Sequence, residues 1–227
     1  MSSQAPVITI DGPSGSGKGT IAKLVADKLG WNLLDSGALY RVVGLLAERQ
    51  GITPDAPAKL GDLALSMPLR FDEQGRPILD DEDVGDAIRT ETAGNAASKV
   101  AAVPEVRQAL LEWQRNYAAL PGLVADGRDM GSVVFPDAEV KVFLTASAEE
   151  RANRRYNQLK DKGLDVNLAD LTAEIRERDE RDRNRSVAPL VAPAAALEVE
   201  SSDLSIDQVL ERVLDRVKEA FPGLDLG

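Results

Sequence analysis

Cysteine and histidine are both absent from the 227 residues. Their absence excludes disulfides, thiolate nucleophiles, imidazole bases and any site in which His or Cys holds a metal. Lys, Arg, Asp and Glu must carry whatever chemistry the chain performs. Long apolar runs are lacking as well. Val7–Ile10 is far shorter than a signal core or a membrane span, Met1-Ser2-Ser3-Gln4 brings no basic cluster, and Ala and Pro dilute the longest later run, Val187–Leu197. The expectation is a cytoplasmic enzyme with no membrane partner. Positive charge is in deficit, 27 Lys plus Arg against 38 Asp plus Glu, for a formal net charge of -11. Such an average surface repels polynucleotides and anionic lipid. With 43% hydrophobic residues, a chain of this length buries one sizeable core, as a single domain carrying insertions. There is no internal repeat and no low-complexity tract.

Five short apolar runs end where loop chemistry begins: Val7–Ile10, Asn32–Leu34, Leu123–Ala125, Val140–Leu144 and Ala196–Val199. They read as buried strands. Between them lie helically spaced apolar positions, such as Ile21, Leu24 and Val25, then Val106, Leu110, Trp113 and Tyr117. Strands alternating with helices imply an α/β fold whose parallel sheet is covered on both faces. The stretch from about Thr53 to Pro104 breaks that rhythm and reads as an insertion, with a hairpin of Leu69–Phe71 and Pro77–Leu79 turning at Gln74-Gly75. Positive charge is concentrated between Arg151 and Arg185, where ten basic residues accompany eight acidic ones. A final helix from Ile206 to about Ala220 reads as packing.

The first strand runs into Gly12-Pro13-Ser14-Gly15-Ser16-Gly17-Lys18-Gly19-Thr20, and a helix from Ile21 to about Leu29 follows, closed by Gly30. In this strand-to-helix setting, glycines let successive backbone N–H groups converge on phosphate oxygens, and the helix N-terminus adds partial positive charge. Lys18 supplies a cation for the terminal phosphates. The alternative, a glycine-rich turn that merely joins strand to helix, does not account for the lysine and the spacing together. The usual pattern sets Ser or Thr directly after the lysine. Here Gly19 intervenes and Thr20 carries the hydroxyl, so direct magnesium coordination by Thr20 is not implied. Switches and mechanical ATPases use the same loop, so an acceptor site needs separate argument.

A helix is expected to span about Leu168 to Arg185. Its stripe Leu168, Leu171, Ile175 continues at the same steps onto Arg178, Asp182 and Arg185. At about 100 degrees per residue the six positions share an arc of about 100 degrees, so the ionic half faces the same interior or cleft as the apolar half. Two guanidinium forks framing a carboxylate suit an anionic ligand that bears hydroxyls. The other reading is a solvated helix laced with Arg–Asp pairs, a description that suits Arg176, Glu177, Glu180 and Arg183. Leu123–Ala125 leads into Asp126-Gly127-Arg128-Asp129, charged groups at a strand's C-terminal end, where open parallel sheets bind ligands. Asp126 suits magnesium held through water, Arg128 a phosphoryl group in flight, and Asp129 a base or an acceptor, unless the segment is an Asp-Gly turn with incidental charges. The stretch Leu33-Leu34-Asp35-Ser36-Gly37 opens a further helix bearing Tyr40 and Arg41. A ligand site and ordinary capping by Asp35 or Ser36, with Tyr40 as a core aromatic, are equally open there.

Taken together, Gly12–Thr20, Leu34-Asp35-Ser36-Gly37-Ala38-Leu39-Tyr40-Arg41, Asp126-Gly127-Arg128-Asp129-Met130-Gly131 and Arg178-Asp179-Glu180-Arg181-Asp182-Arg183-Asn184-Arg185 resemble the bacterial cytidylate kinases, the CMP/dCMP kinases. The likeness runs from Val7 to about Leu210. It implies the P-loop nucleoside monophosphate kinase fold, with a five-stranded parallel sheet flanked by helices. It divides one kinase domain over 1–227 into a core of 1–50, 105–150 and 171–227, a monophosphate-binding insertion of about 51–104 and a lid of about 151–170. It implies transfer of the ATP γ-phosphoryl group to CMP or dCMP, with Mg2+, in pyrimidine nucleotide metabolism, by a chain expected to act as a monomer. Ser36, Tyr40, Arg41, Ser98, Arg107, Arg128, Asp129, Arg178, Asp182 and Arg185 would contact the acceptor. Arg151, Arg154 and Arg155 would offer lid cations to the transferring group. Of these, Ser98 and Arg107 rest on the resemblance alone; without it Arg107 passes for a surface helix arginine. Cytosine fits such a set, because its N4 amine needs an acceptor such as Asp129 and its ring acceptors need donors such as Arg107 and Ser98. Asp182 and Arg178 would lie at the sugar, and Arg41, Arg128 and Arg185 at the acceptor phosphate. UMP or AMP kinases are the neighbouring readings, and an ATP-bound switch is the distant one.

Overall fold

The computed structural model describes residues 5–72 and 75–224; Met1-Ser2-Ser3-Gln4 and the hairpin residue Gln74 lie outside them. The chain opens with β1 (Val7–Asp11), α1 (Lys18–Leu29), β2 (Asn32–Asp35) and α2 (Ser36–Arg49). There follow α3 (Pro57–Ser66), β3 (Leu69–Phe71), β4 (Pro77–Leu79), β5 (Glu82–Asp83), α4 (Glu91–Val100) and α5 (Pro104–Asn116). The remainder forms β6 (Leu123–Gly127), β7 (Val140–Thr145), α6 (Ala148–Asp161), α7 (Leu168–Arg183), β8 (Leu197–Glu200) and α8 (Ile206–Ala220). Two compact units result. One comprises the residues up to Leu34 and those from Ala118 onward, the other Asp35–Tyr117.

In the first unit a five-stranded sheet has the order β2-β6-β1-β7-β8. β1 runs parallel to β6 and to β7, and β7 runs parallel to β8. β1 and β6 are buried along their whole length, as expected of strands covered on both faces. Ile8, Ile10, Val124 and Val142 pack with Ile21 and Val25 of α1 and with Val213 and Val217 of α8 in one core. α8 starts at a reciprocal cap, with Ser205 accepting from Gln208 N and Gln208 accepting from Ser205 N.

Several boundaries differ from those read in the sequence, and the differences bear on the site. The ladder continues into polar residues, so that Asp11 pairs with Gly127 and Thr145 with Glu200. Backbone pairing does not stop where apolarity does. β8 spans Leu197–Glu200, not Ala196–Val199, because Ala196 N is tied into a turn with Pro193 O. α1 starts at Lys18, three residues before Ile21, once Ile21 N donates to Gly17 O at 3.1 Å. α7 ends at Arg183, so Arg185 lies beyond the helix; Leu190 N turns back to Asp182 O at 2.9 Å. Leu168, the first position of the apolar stripe, is exposed.

In the second unit β3, β4 and β5 form an antiparallel sheet, with Leu69 opposite Leu79 and Phe71 opposite Pro77. Asp72 closes the hairpin by accepting from Arg76 N at 2.8 Å and from Arg76 Nε at 2.6 Å. Phe71, Trp113 and Tyr117 pack ring to ring at 5.4–6.2 Å, which joins the hairpin to α5. β5 and the helices α3 and α4 are additional to the hairpin foreseen between Thr53 and Pro104.

Candidate active site

The phosphate loop is built at the C-terminal end of β1. Gly17 takes the left-handed conformation (φ 91°) as N-cap of α1, which makes Lys18 the first helical residue. Lys18 is buried, and its ammonium group donates to Pro13 O at 3.2 Å and lies 4.0 Å from an Asp126 oxygen. The lysine therefore folds back across the loop it follows, towards the carboxylate at the end of β6. Asp126 is itself buried. A Cβ on Gly19 would stand 3.1 Å from Asp126 Oδ2. Where the common loop carries a hydroxyl, this chain has a glycine with a carboxylate pressed against it.

That arrangement bears on metal binding. Among the described residues no group of three or more acidic side chains is placed to hold a metal ion. Mg2+ asks for less, since it keeps most of its waters and binds through one or two carboxylates with substrate phosphates. Asp126, beside the loop and beside Lys18, fits that requirement; Thr20, on α1, is exposed.

One anchor of the site was not singled out in the sequence. Asp11, the last residue of β1, is fully buried and accepts from Met130 N and Gly131 N, each at 2.8 Å. It thereby fixes the chain just after Asp126-Gly127-Arg128-Asp129. Asp129 is buried and precedes a π-helical turn at Met130–Val134, its carbonyl accepting from Val133 N at 2.9 Å and from Val134 N at 3.1 Å. Desolvation pushes the Asp11 carboxyl up from 3.8 to about 7, against the pull of the two N–H donors, with smaller upward pushes from Asp129 and Asp126. Because the folded value lies above the unfolded one, the stability contributed by the neutral form is complete below about pH 4 and is lost as pH rises to about 7. Asp11→Asn removes this titration and turns an NH2 group towards one backbone N–H. The variant is expected to melt lower, and its deficit against the native chain should narrow by about 3 °C or more between pH 5 and pH 7.5. Melting curves at both pH values check this; a deficit that does not change with pH contradicts it.

Arg128 Nε donates to Asp182 Oδ2 at 3.2 Å in largely buried surroundings. Arg178 Nη1 donates to Ser14 Oγ at 3.2 Å, so α7 reaches the phosphate loop directly. Asp182 and Arg185 are buried. Arg176 pairs with Glu149 and Arg181 with Glu177 on the outer face of α7, where Arg176, Glu177, Glu180 and Arg183 are exposed. The helix thus has both characters, an ionic inner stripe and a solvated outer face.

The arginines of α6 are more deeply engaged than a mobile lid suggests. Arg151 is 2% exposed and donates to Ala146 O, to Ser14 O and to both oxygens of Asp179. Arg154 pairs with Glu150 and donates to Ser201 O at 2.6 Å and, at 3.5 Å, to Ser16 O. Arg155 is half-buried, with Nη1 donating to Gln158 Oε1 at 3.3 Å. Asp179, which has no place in the sequence reading beyond its motif, is buried as the partner of Arg151.

In the second unit Asp35 caps α2 by accepting from Ala38 N at 3.1 Å, and Ser36 is buried. Tyr40 is buried with the Arg107 guanidinium 5.5 Å from its ring centre. Arg107 also donates to Ala101 O at 3.2 Å and is only 7% exposed. Taken without the family likeness it passes for a surface residue; its burial corrects that. Ser98 is buried on α4, and Arg41 is held by Ile88 O at 2.7 Å and Thr90 O at 3.3 Å.

A phosphate loop at the end of a central parallel strand, with its lysine, a carboxylate and opposed arginines in one unit, defines a P-loop phosphotransferase. The family model for cytidylate kinase matches residues 8–219, and the chain belongs to that family. The cytidylate kinase of Aeromonas salmonicida is 60% identical over 217 residues, covering 94% of each chain. That of Methylococcus capsulatus is 58% identical over 96% of this chain and 99% of its own, and that of Shewanella loihica 54% identical over the full length of both.

Proposed function

We propose that residues 12–20 hold the phosphates of ATP and that the γ-phosphoryl group passes to CMP or dCMP, giving ADP and the corresponding diphosphate. The observation that carries this reading is the convergence, within the first unit, of Lys18, Asp126 and Arg178 on one loop, with the Arg128–Asp182 pair supplied by the same strand end and helix. The acceptor oxygen is already anionic, so the reaction requires in-line placement and neutralised charge more than it requires a base. That requirement suits a chain without histidine.

The roles are those the family likeness implies, and the chemistry of the side chains is consistent with them. The loop amides and Lys18 hold the terminal phosphates of ATP. By the family likeness Arg128, Arg185 and Arg41 are assigned to the acceptor phosphate, Asp182 and Arg178 to the sugar, and Asp129, Arg107 and Ser98 to the base, with Ser36 and Tyr40 as further acceptor contacts. Arg154 and Arg155 of α6 offer positive charge to the transferring group. Asp126 would hold Mg2+ through water, with Thr20 as the weaker option, and the ion would supply further neutralisation of phosphate charge. Residues 51–104 serve as the monophosphate-binding insertion and 151–170 as the lid. The enzyme works as a cytoplasmic monomer in pyrimidine nucleotide metabolism; among the described residues no helix is long and apolar enough to cross a membrane.

A panel of nucleoside monophosphates with ATP and Mg2+ tests the reading. ADP should form with CMP and dCMP, far more slowly with UMP or AMP, and at background rate without acceptor. Equal rates with UMP or AMP, or ADP formation that ignores the acceptor, would refute it.

A further inference from the structure

The phosphate loop is braced from α6 and α7 by a buried Arg151–Asp179 pair. Arg151 Nη1 donates to Ser14 O at 3.0 Å, and the same guanidinium grips Asp179 through two bonds, at 3.0 Å to Oδ1 and 2.5 Å to Oδ2. Its Nε is bound to Ala146 O at 2.9 Å, directly after β7. Four of the fork's five N–H groups are thus engaged by β7's end, α7 or the loop. In a planar trans peptide the C=O and the following N–H point in opposite directions. Anchoring the Ser14 carbonyl on Arg151 therefore turns the Gly15 N–H away from α6, to the open side of the loop. Gly15 sits at φ 77°, with its Cβ position 3.2 Å from Arg151 Cβ, so the arginine backs this peptide closely.

We propose that Asp179 is a positioning residue for ATP: through Arg151 it fixes the Ser14–Gly15 peptide so that the Gly15 N–H is presented to a phosphate oxygen. This rests on the reading of residues 12–20 as the ATP loop. Arg151 then works as a static strut, and not as a cation that swings over the transferring group. Asp179 differs in this from its neighbour Arg178, which meets Ser14 through the hydroxyl. The carboxylate is needed for its charge and for its two acceptor oxygens, both of which the fork uses.

Calorimetric titration of the full chain with ATP and Mg2+, with no acceptor present, isolates this effect. Asp179→Asn keeps the shape but offers one acceptor and faces the fork with an NH2 group. The expected result is a Kd for ATP raised about tenfold, with the Kd for CMP changed less than threefold, at a temperature where circular dichroism shows the variant folded. Arg151→Lys is the second variant and carries the test if Asp179→Asn does not fold. Its ammonium group keeps Asp179 neutralised but lacks the fork that binds Ser14 and Ala146 together, so ATP should again weaken selectively. An ATP Kd within twofold of the native value in a folded variant overturns the proposal, as does an equal rise for ATP and CMP, which indicates general loosening. If the native chain itself does not bind ATP, the loop reading fails and the strut with it; if it binds ATP and the variants match it, only the strut fails.

Discussion

Replacing Lys18 by alanine is expected to lower kcat by about a thousandfold or more while leaving a folded protein. Removing one charged or donor group from a transition state costs about 10²–10³ in rate at a single oxyanion contact, and phosphoryl transfer concentrates more charge than that. The lysine donates to Pro13 O within the loop and faces Asp126. It lies outside the apolar core, and its ammonium group stands 4.0 Å from Asp126, a long separation for an ion pair. Stability should therefore fall by no more than about 1–2 kcal/mol, mainly from Asp126 losing a neighbouring positive charge. Steady-state kinetics with saturating CMP, paired with a thermal melt, checks both halves. A variant within tenfold of the native kcat would remove Lys18 from the chemistry. A variant that binds ATP normally but turns over slowly would place the lysine's contribution in the transition state and not in ground-state binding.

The loop was legible because its chemistry is local: strand, glycines, lysine and helix follow one another within the span Val7–Leu29. The ionic stripe of α7 was legible for a related reason, since helical periodicity carries a face along the sequence whatever packs on it. Arg107 was not. A helix arginine is exposed or buried according to what lies across from it, and its partner Tyr40 is 67 positions away by the numbering. Asp179 was hidden in the same way: beside Arg178, Glu180 and Arg181 it looks like one charge in a solvated run, and only Arg151 singles it out. Asp11 escaped because it ends an apolar strand and precedes a glycine, a place where a turn explains an aspartate adequately; its two bonds to Met130 N and Gly131 N span 119 and 120 residues. The C-terminal ends of the five strands run one or two residues past the apolar runs for one common cause. Apolarity marks what a strand buries, whereas ladder pairing continues into the polar residues that line the site.

Arg128→Ala should lose turnover as severely as Lys18→Ala, by about a thousandfold or more, but with a different stability signature. Arg128 is paired with Asp182, and the two side chains are 15% and 5% exposed. Deleting the arginine alone leaves a buried carboxylate without this partner, a loss of up to about 3–5 kcal/mol, moderated because Asp182 has further interactions. A dead single variant would thus admit two causes, lost charge at the phosphates or a distorted α7. Arg128→Ala combined with Asp182→Asn, measured against Asp182→Asn alone because Asp182 is also assigned to the sugar, separates them. Neutralising the carboxylate should restore most of the melting temperature while leaving kcat depressed, since the missing cation is what the phosphoryl group requires. Recovery of turnover together with stability would show that Arg128 serves only to compensate Asp182, and the acceptor phosphate would then have to be assigned to Arg185 and Arg41 alone. Arg128→Lys sharpens the distinction: an ammonium group can satisfy Asp182 as a point charge but not offer a planar fork to two oxygens, so stability should be retained and turnover should not.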